Sequence, residues 1–407
     1  MIMKDVARDW IKSIGLCLTF VGMQFNTALK NIFPGADAIV FIMILSIFLL
    51  MDVRQITRFK IDVRFFIILC FQVCLLFFSV FSGNGTAQLI SFHVYLIAFI
   101  IALNSNMREN ISFNAFGRAL FYLTGLISLV VVYQATDGFT KLIMSYHATG
   151  KLWLSSGGDP ITMSRSLEVN IISILLYKKR NLLEKIFAVV FIISDIIGMF
   201  SFGNRSTIVC SVVVVLLWYT IYNNRKMNGI SILKTISIVV LAMLAVRYIP
   251  YLDDKISSIY NSVLSGIRTL LGIQTNVIDS SAQTRVMILD RELEDFFGNN
   301  FMKNALFGLG YNHAYVDRPL IQAFLDLGFL GGILYTILLV IVPVKWLILE
   351  LRHKYNFNSA WIYVIFISIQ YLVDNIITGL PYYYSLWIPP IFILYSVTNK
   401  NSYKISI

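Results

Sequence analysis

Residues 284–335 read TRVMILDRELEDFFGNNFMKNALFGLGYNHAYVDRPLIQAFLDLGFLGGILY. The stretch opens as a charged segment with helical apolar spacing and passes through the Gly-rich turn FGLGYNH, which ends at His313. It then runs straight into an apolar segment punctuated by Gly328, Gly331 and Gly332. A water-facing helix joined directly to an apolar one places side-chain chemistry at a membrane surface. Almost everything else is apolar run and short loop, so this long polar insertion is where a chemical or binding function belongs.

Composition agrees. The chain has 407 residues, 57% of them hydrophobic and 14% charged, whereas soluble domains are roughly 45–50% apolar and about 25% charged. The fold class predicted is an all-α polytopic membrane protein. Apolar runs long enough to cross a bilayer occur at 11–29, 36–51, 63–81, 86–104, 114–134, 162–177, 183–202, 205–222, 232–249, 321–349, 359–380 and 382–398, giving about twelve transmembrane helices. The expected organisation is a scaffold of helices 1–5 over 1–134, helices 6–9 over 135–249 with an external loop at 135–164, a large external loop with an amphipathic helix over 250–320, and helices 10–12 over 321–407.

The formal charge of +11 would suggest nucleic acid in a soluble protein, but its placement along the chain excludes that partner. Alternate loops hold the basic residues: Lys4, Arg8 and Lys12; Arg54, Arg58, Lys60 and Arg64; Arg108; Lys178, Lys179, Arg180 and Lys185; Arg225, Lys226 and Lys234; Arg352 and Lys354; Lys400 and Lys404. The intervening loops SGNGT and GLPYYY hold none. By the positive-inside rule the basic set is cytoplasmic, both termini are inside, and the 250–320 loop is outside. The first apolar run lacks a small-residue cleavage site, so it reads as a retained helix.

Several residues read as structural. Cys17, Cys70, Cys74 and Cys210 all lie in apolar segments; Cys70 and Cys74 share a helix face without further ligands and read as packing residues. His93, within ISFHVYLIAF, reads as a buried, hydrogen-bonded histidine. Asp253 and Asp254 read as a solvated turn, and no metal is expected. In the helix predicted at 281–297, Val286, Leu289, Leu293, Phe296 and Phe297 form an apolar face. Arg291 has Glu294 and Asp295 at i+3 and i+4, whereas no carboxylate stands at the equivalent positions around Arg285. Arg285 is thus expected to be an unpaired cation available to a ligand.

Arg165, Arg205, Arg247, Arg285 and Arg318 all fall at or beyond the expected outer membrane boundary. Guanidinium forks suit phosphate oxygens, so an anion at the outer leaflet explains them, and a lipid diphosphate fits best because the spans can take its tail.

In order, the chain has about twelve spans, GNRS with Arg205 opening a mid-chain helix, a large external loop with the Arg285 helix, FGLGYNH, and GFLGG entering the next span. It therefore resembles the O-antigen polymerase and ligase superfamily of bacterial membrane glycosyltransferases, by architecture over most of its length and by motif at 203–207 and 281–332. The resemblance implies a GT-C-like bundle in the bacterial inner membrane, acting on glycans carried by undecaprenyl diphosphate, with the 250–320 loop periplasmic. It implies catalytic roles for Arg205, Arg285 and His313. Arg165, Arg247, Arg318, Tyr311, Asn312, Gly308, Gly310 and Asp317 are the expected substrate-binding residues. Gly308 and Gly310 are expected to bring backbone N–H groups to the ligand, and Gly328 and Gly332 to lie on one helix face.

Family ligases place a small polar residue after the histidine and a GxxG-type element about ten residues on; here Ala314 follows and GFLGG begins at Gly328. That spacing favours a polymerase over a ligase acting on a lipid A core. His313 either accepts the acceptor hydroxyl's proton or orients it, with Asp317 or Asp326 as fallback base. Glu168, Asp195, Asp326 and Asp374 are candidate partners for the site arginines. No cofactor is expected. The expected partners are the lipid-linked oligosaccharide, membrane lipid and a chain-length regulator protein. A lipid-linked oligosaccharide flippase is the alternative of a different class, although such transporters show two similar halves and this chain has no visible repeat.

Overall fold

The lengths of the apolar runs set the helices. The computed structural model describes residues 2–33, 35, 38–51, 62–105, 113–135, 160–178, 181–202, 207, 210–216, 218, 280–345, 363, 366–368, 370–372 and 379–403. Among these, regular structure is helical and no strand occurs. In order come α1 (Ile2–Ile32), α2 (Ile39–Leu50), α3 (Val63–Phe81), α4 (Ala87–Ser105), α5 (Phe113–Ala135), α6 (Pro160–Leu176) and α7 (Leu182–Phe202). After them come α8 (Ser280–Phe297), α9 (Phe301–Phe307), α10 (Pro319–Thr336), a π-helical turn Ile337–Ile341, and α11 (Tyr384–Tyr403). Four helical stretches among the described residues are long and apolar enough to cross a bilayer: Val63–Phe81, Ala87–Ser105, Ala115–Tyr133 and Pro319–Lys345.

The chain divides into two compact units, one comprising Met1–Thr207, Thr336–Asp374 and Tyr382–Ile407, the other Ile208–Tyr335 and Asn375–Pro381. In the first, α1 packs on α2 and α5, α5 on α6 and α7, and α3 on α4, with α11 against α4, α3 and α1. Ends are fixed locally. The Asp62 side chain caps α3 by accepting from the Arg64 N–H at 2.8 Å, and Thr86 Oγ1 accepts from the Leu89 N–H at the start of α4. Small residues let helices close: a Cβ on Gly125 would stand 2.2 Å from the Phe191 ring, inside the aromatic core of Phe121, Tyr177 and Phe191.

The outward faces are apolar. Helix α3 leaves Phe66, Ile67, Phe77, Phe78, Val80 and Phe81 exposed, and α7 does the same with Leu182, Leu183, Val189 and Ile193. Such contiguous apolar surface suits lipid rather than water. Here Cys70 and Cys74 are corrected: both are exposed, because α3 packs through Phe65, Ile68, Phe71, Gln72, Leu75 and Ser79 and turns the 70/74 stripe outward.

Several polar groups inside this unit bond to one another, while buried Gln72 Nε2, Asn104 Oδ1 and Ser194 Oγ have no hydrogen-bond partner among the described residues. His93 is fully buried, with Nδ1 2.9 Å from Gln72 Oε1, as the sequence reading expected. Asp195 accepts from Ser128 Oγ and Asn170 Nδ2, neutral partners where an arginine was expected, and Glu168 accepts from Gln370 Nε2. Asp374 lies outside the described residues.

Candidate functional site

The second unit is built on α8. Its inner face carries Arg285, Leu289, Glu292 and Phe296 at i, i+4, i+7 and i+11, the spacing of one helical stripe. Leu289 and Phe296 are buried against Val316 and Leu325, so Arg285 and Glu292 are carried on the side that meets the 308–317 turn. The apolar face thus differs at one end from expectation: Phe297 is 58% exposed, one residue round the helix from Phe296.

That turn is formed by two backbone crossings. Gly328 adopts φ 70°, ψ −175° and breaks α10. The Leu325 and Asp326 carbonyls preceding the break accept instead from the N–H groups of Leu309 (2.7 Å) and Gly310 (3.2 Å). Gly308, at φ 72°, lies so close that a Cβ would stand 2.2 Å from the Asp326 carbonyl oxygen. Two expectations are corrected. The N–H groups of Gly308 and Gly310 bond internally, to Asn304 O and Asp326 O, rather than facing a ligand. Gly328 and Gly332 do not share a regular helix face, since the chain breaks at the first of them.

Beneath the turn sits a buried polar core. Asp326, 2% exposed, accepts at Oδ2 from the Asn312 N–H (3.1 Å) and Gln322 Nε2 (3.3 Å), and at Oδ1 from the His313 N–H (3.4 Å). Gln322 in turn accepts from the Val316 N–H. A carboxylate used this way ties the turn to α10. Tyr311 is also buried; desolvation, reinforced by the nearby Asp326 charge, pushes its phenol well above the usual tyrosine range. It lies beneath the turn. Asn312, half-buried, takes a left-handed conformation at φ 51°.

Above this core, two buried carboxylates hold two half-exposed groups. His313 Nδ1 lies 2.9 Å from Glu292 Oε2, with side chains 40% and 7% exposed. An ionised carboxylate only accepts, so Nδ1 carries the hydrogen and a neutral ring has its lone pair on Nε2. Arg285 Nε lies 2.7 Å from Asp317 Oδ2, with side chains 40% and 3% exposed. Asp317, at φ 57°, also accepts at Oδ1 from Tyr315 Oη (2.7 Å) and the Gly379 N–H (2.8 Å). Arg285 is therefore paired, correcting the expected free cation: its partner lies 32 positions away in sequence, out of reach of any i+3 or i+4 argument. The same contacts make Asp317 an anchor for Arg285.

Arg291 forms no ion pair with Glu294 or Asp295 among the described contacts. Arg318 is half-buried, and its carbonyl accepts the first turn of α10 from Gln322. Arg165 lies on the second turn of α6, in the other unit, and Arg205 and Arg247 lie outside the described residues. Sequence reasoning missed Glu292 and Tyr315. The signal for Glu292 was present, as a carboxylate on the apolar stripe between Leu289 and Phe296. Among the described residues no group of His, Cys, Asp and Glu is arranged to hold a metal.

No protein-family model and no curated protein matches the chain.

Proposed function

We propose that the protein is a polysaccharide polymerase of the O-antigen polymerase kind, a GT-C-like glycosyltransferase of the bacterial inner membrane, with about twelve spans and its 250–320 loop in the periplasm. It transfers a glycan from undecaprenyl diphosphate to a sugar hydroxyl of another lipid-linked repeat unit. One observation carries the reading. A half-exposed guanidinium and a half-exposed imidazole are each held by a buried carboxylate, from residues two turns apart on one helix face, a rise of about 10 Å.

The chemistry needs those two groups. The acceptor hydroxyl oxygen attacks the anomeric carbon, the bond from that carbon to the diphosphate oxygen breaks, and the electron pair leaves with the lipid diphosphate. The Arg285 guanidinium meets the charge that grows on the diphosphate; a catalytic role for Arg205 and substrate-binding roles for Arg165, Arg247 and Arg318 are proposed from the family resemblance. His313 Nε2 takes the hydroxyl proton, and Glu292 stabilises the resulting imidazolium as the acid of a catalytic triad does. The leaving group is already good, so no metal enters the scheme.

Purified protein in bilayers, given an undecaprenyl-diphosphate-linked repeat unit, is expected to produce a ladder of longer glycans without nucleotide. Movement of the substrate across the bilayer without elongation would instead identify a flippase, and transfer only to a lipid A core would identify a ligase.

A further inference from the structure

Helix α9, FMKNALF, has two different sides. On the inner side Asn304 is buried, and its Nδ2 donates to the Asp295 (3.0 Å) and Phe296 (3.2 Å) carbonyls at the end of α8, groups that a helix C-terminus leaves without intrahelical partners. Its backbone at Ala305 and Leu306 lies against Gly328, where a Cβ would stand 2.8 Å from both. Helix α9 is thereby fixed at the level of the break in α10.

The outer side is apolar and open. Met302, Leu306 and Phe307 are 74%, 62% and 65% exposed, and Lys303 is the one charge in the helix. This surface continues without interruption onto a helix of membrane type. Exposed Phe297 stacks on Phe301 with ring centroids 5.5 Å apart, and Phe301 meets Phe329 edge-on at 6.4 Å. Phe329 is followed by exposed Leu330 and Ile333, on the outer face of the Pro319–Lys345 stretch that is long and apolar enough to cross a bilayer. The 308–310 turn pairs with Leu325 and Asp326 just before the break at Gly328, and Phe329, Leu330 and Ile333 are exposed just after it. The break, and α9 with it, thus sits where the polar turn gives way to exposed apolar surface.

We propose that α9 lies in the boundary between head groups and acyl chains of the same bilayer, with Met302, Leu306 and Phe307 inserted and Lys303 reaching the phosphates. Interfacial helices bind in this way, through apolar burial on one side and basic side chains that snorkel to the head groups. The turn carrying His313 is then pinned at the membrane surface. A lipid-borne substrate would present its head group at that height, but the anchoring rests on α9 and α10 alone and not on the glycosyl-transfer reading.

The full chain, with Cys17, Cys70, Cys74 and Cys210 replaced by serine or alanine, would carry single substitutions Met302→Cys or Leu306→Cys labelled with an environment-sensitive fluorophore. Both positions are exposed, so labelling disturbs no packing. In phosphatidylethanolamine–phosphatidylglycerol vesicles, acyl-chain nitroxides are expected to quench both labels as they quench Leu330→Cys. Aqueous iodide should quench them at least about threefold less than Asp290→Cys on the water side of α8. Iodide quenching equal to that of Asp290→Cys would overturn the proposal. So would protection from both quenchers, which would mean that protein covers this face. Either result can coexist with active or inactive glycosyl transfer, which separates it from failure of the polymerase reading.

Discussion

His93 and His313 each hold Nδ1 2.9 Å from a side-chain oxygen, and the resemblance ends there. His93 is sealed among apolar helices against the neutral carbonyl of Gln72. A neutral acceptor orients the ring without supplying a counter-charge. His313 meets a carboxylate and keeps 40% of its side chain open, so its far nitrogen can take a proton and the resulting charge has a counter-ion. Exposure alone does not make the difference. Arg118 is 41% exposed and pairs with the buried Glu184, yet its guanidinium lies 6.0 Å and 5.9 Å from the ring centroids of Trp10 and Tyr122. Glu184 is also shared with two tyrosine hydroxyls. In the first unit His93 is sealed in and Arg118 lies against aromatic rings; in the second His313 and Arg285 are each held by a buried carboxylate on one side and left open on the other.

The sharpest way to break this contrast is to remove each ring in turn. His313→Ala is expected to lower elongation about 10²- to 10⁴-fold with the protein still accumulating in the membrane. His93→Ala should leave elongation per folded molecule nearly unchanged and lower stability by about 2–4 kcal/mol, because it opens a cavity and strands Gln72. Elongation assays normalised to detergent-extracted, monodisperse protein check both. Equal loss of turnover in the two variants would erase the distinction between scaffold and site.

A smaller effect isolates the carboxylate. Glu292→Gln keeps an acceptor for the His313 Nδ1–H but loses the counter-charge, and about a 10-fold fall in turnover is expected. Glu292→Ala loses orientation as well, for about a 100-fold fall. If Glu292 only packs the turn, the two variants would fall together in stability while turnover per folded molecule held constant.

How much of this was legible beforehand follows from the range of the forces involved. The helices at 63–81 and 280–297 are set by local apolar periodicity and end where it ends, so the sequence reading places them to within a residue. Residue types at the candidate site were legible too, since His313 and Arg285 stand out in a polar insertion. Their partners were not. Arg285 finds Asp317, and His313 finds Glu292, only after the chain has turned through α9 and the Gly308 crossing. Gly328 was misread for the same reason: within GFLGG it resembles a packing motif, while at its positive φ it lies against the backbone of Ala305 and Leu306, outside the motif.

The smallest effects expected come from a matched pair of isosteric changes, Asp317→Asn and Asp195→Asn. Asp317 accepts from Arg285 on one oxygen and from Tyr315 and Gly379 on the other. An asparagine that keeps its carbonyl toward Tyr315 and Gly379 turns an NH2 group toward the guanidinium, donor against donor. Arg285 is half-exposed and can swing into water, which limits the cost to about 1–2 kcal/mol, but the swing displaces the cation proposed to meet the diphosphate. The expected signature is therefore a modest fall in thermal stability together with weaker retention of lipid diphosphate. Asp195 offers the opposite case. Its described partners are a hydroxyl and an amide NH2, no described cation stands within ion-pair distance of it, and it is fully buried. An asparagine there keeps a carbonyl for one donor and removes a carboxyl group that is costly to charge in apolar surroundings, so stability should change by less than about 1 kcal/mol in either direction. Thermal unfolding of the two variants side by side checks the pair, and a larger loss at Asp195 than at Asp317 would mean that the bundle, not the turn, contains the carboxylate that needs its charge.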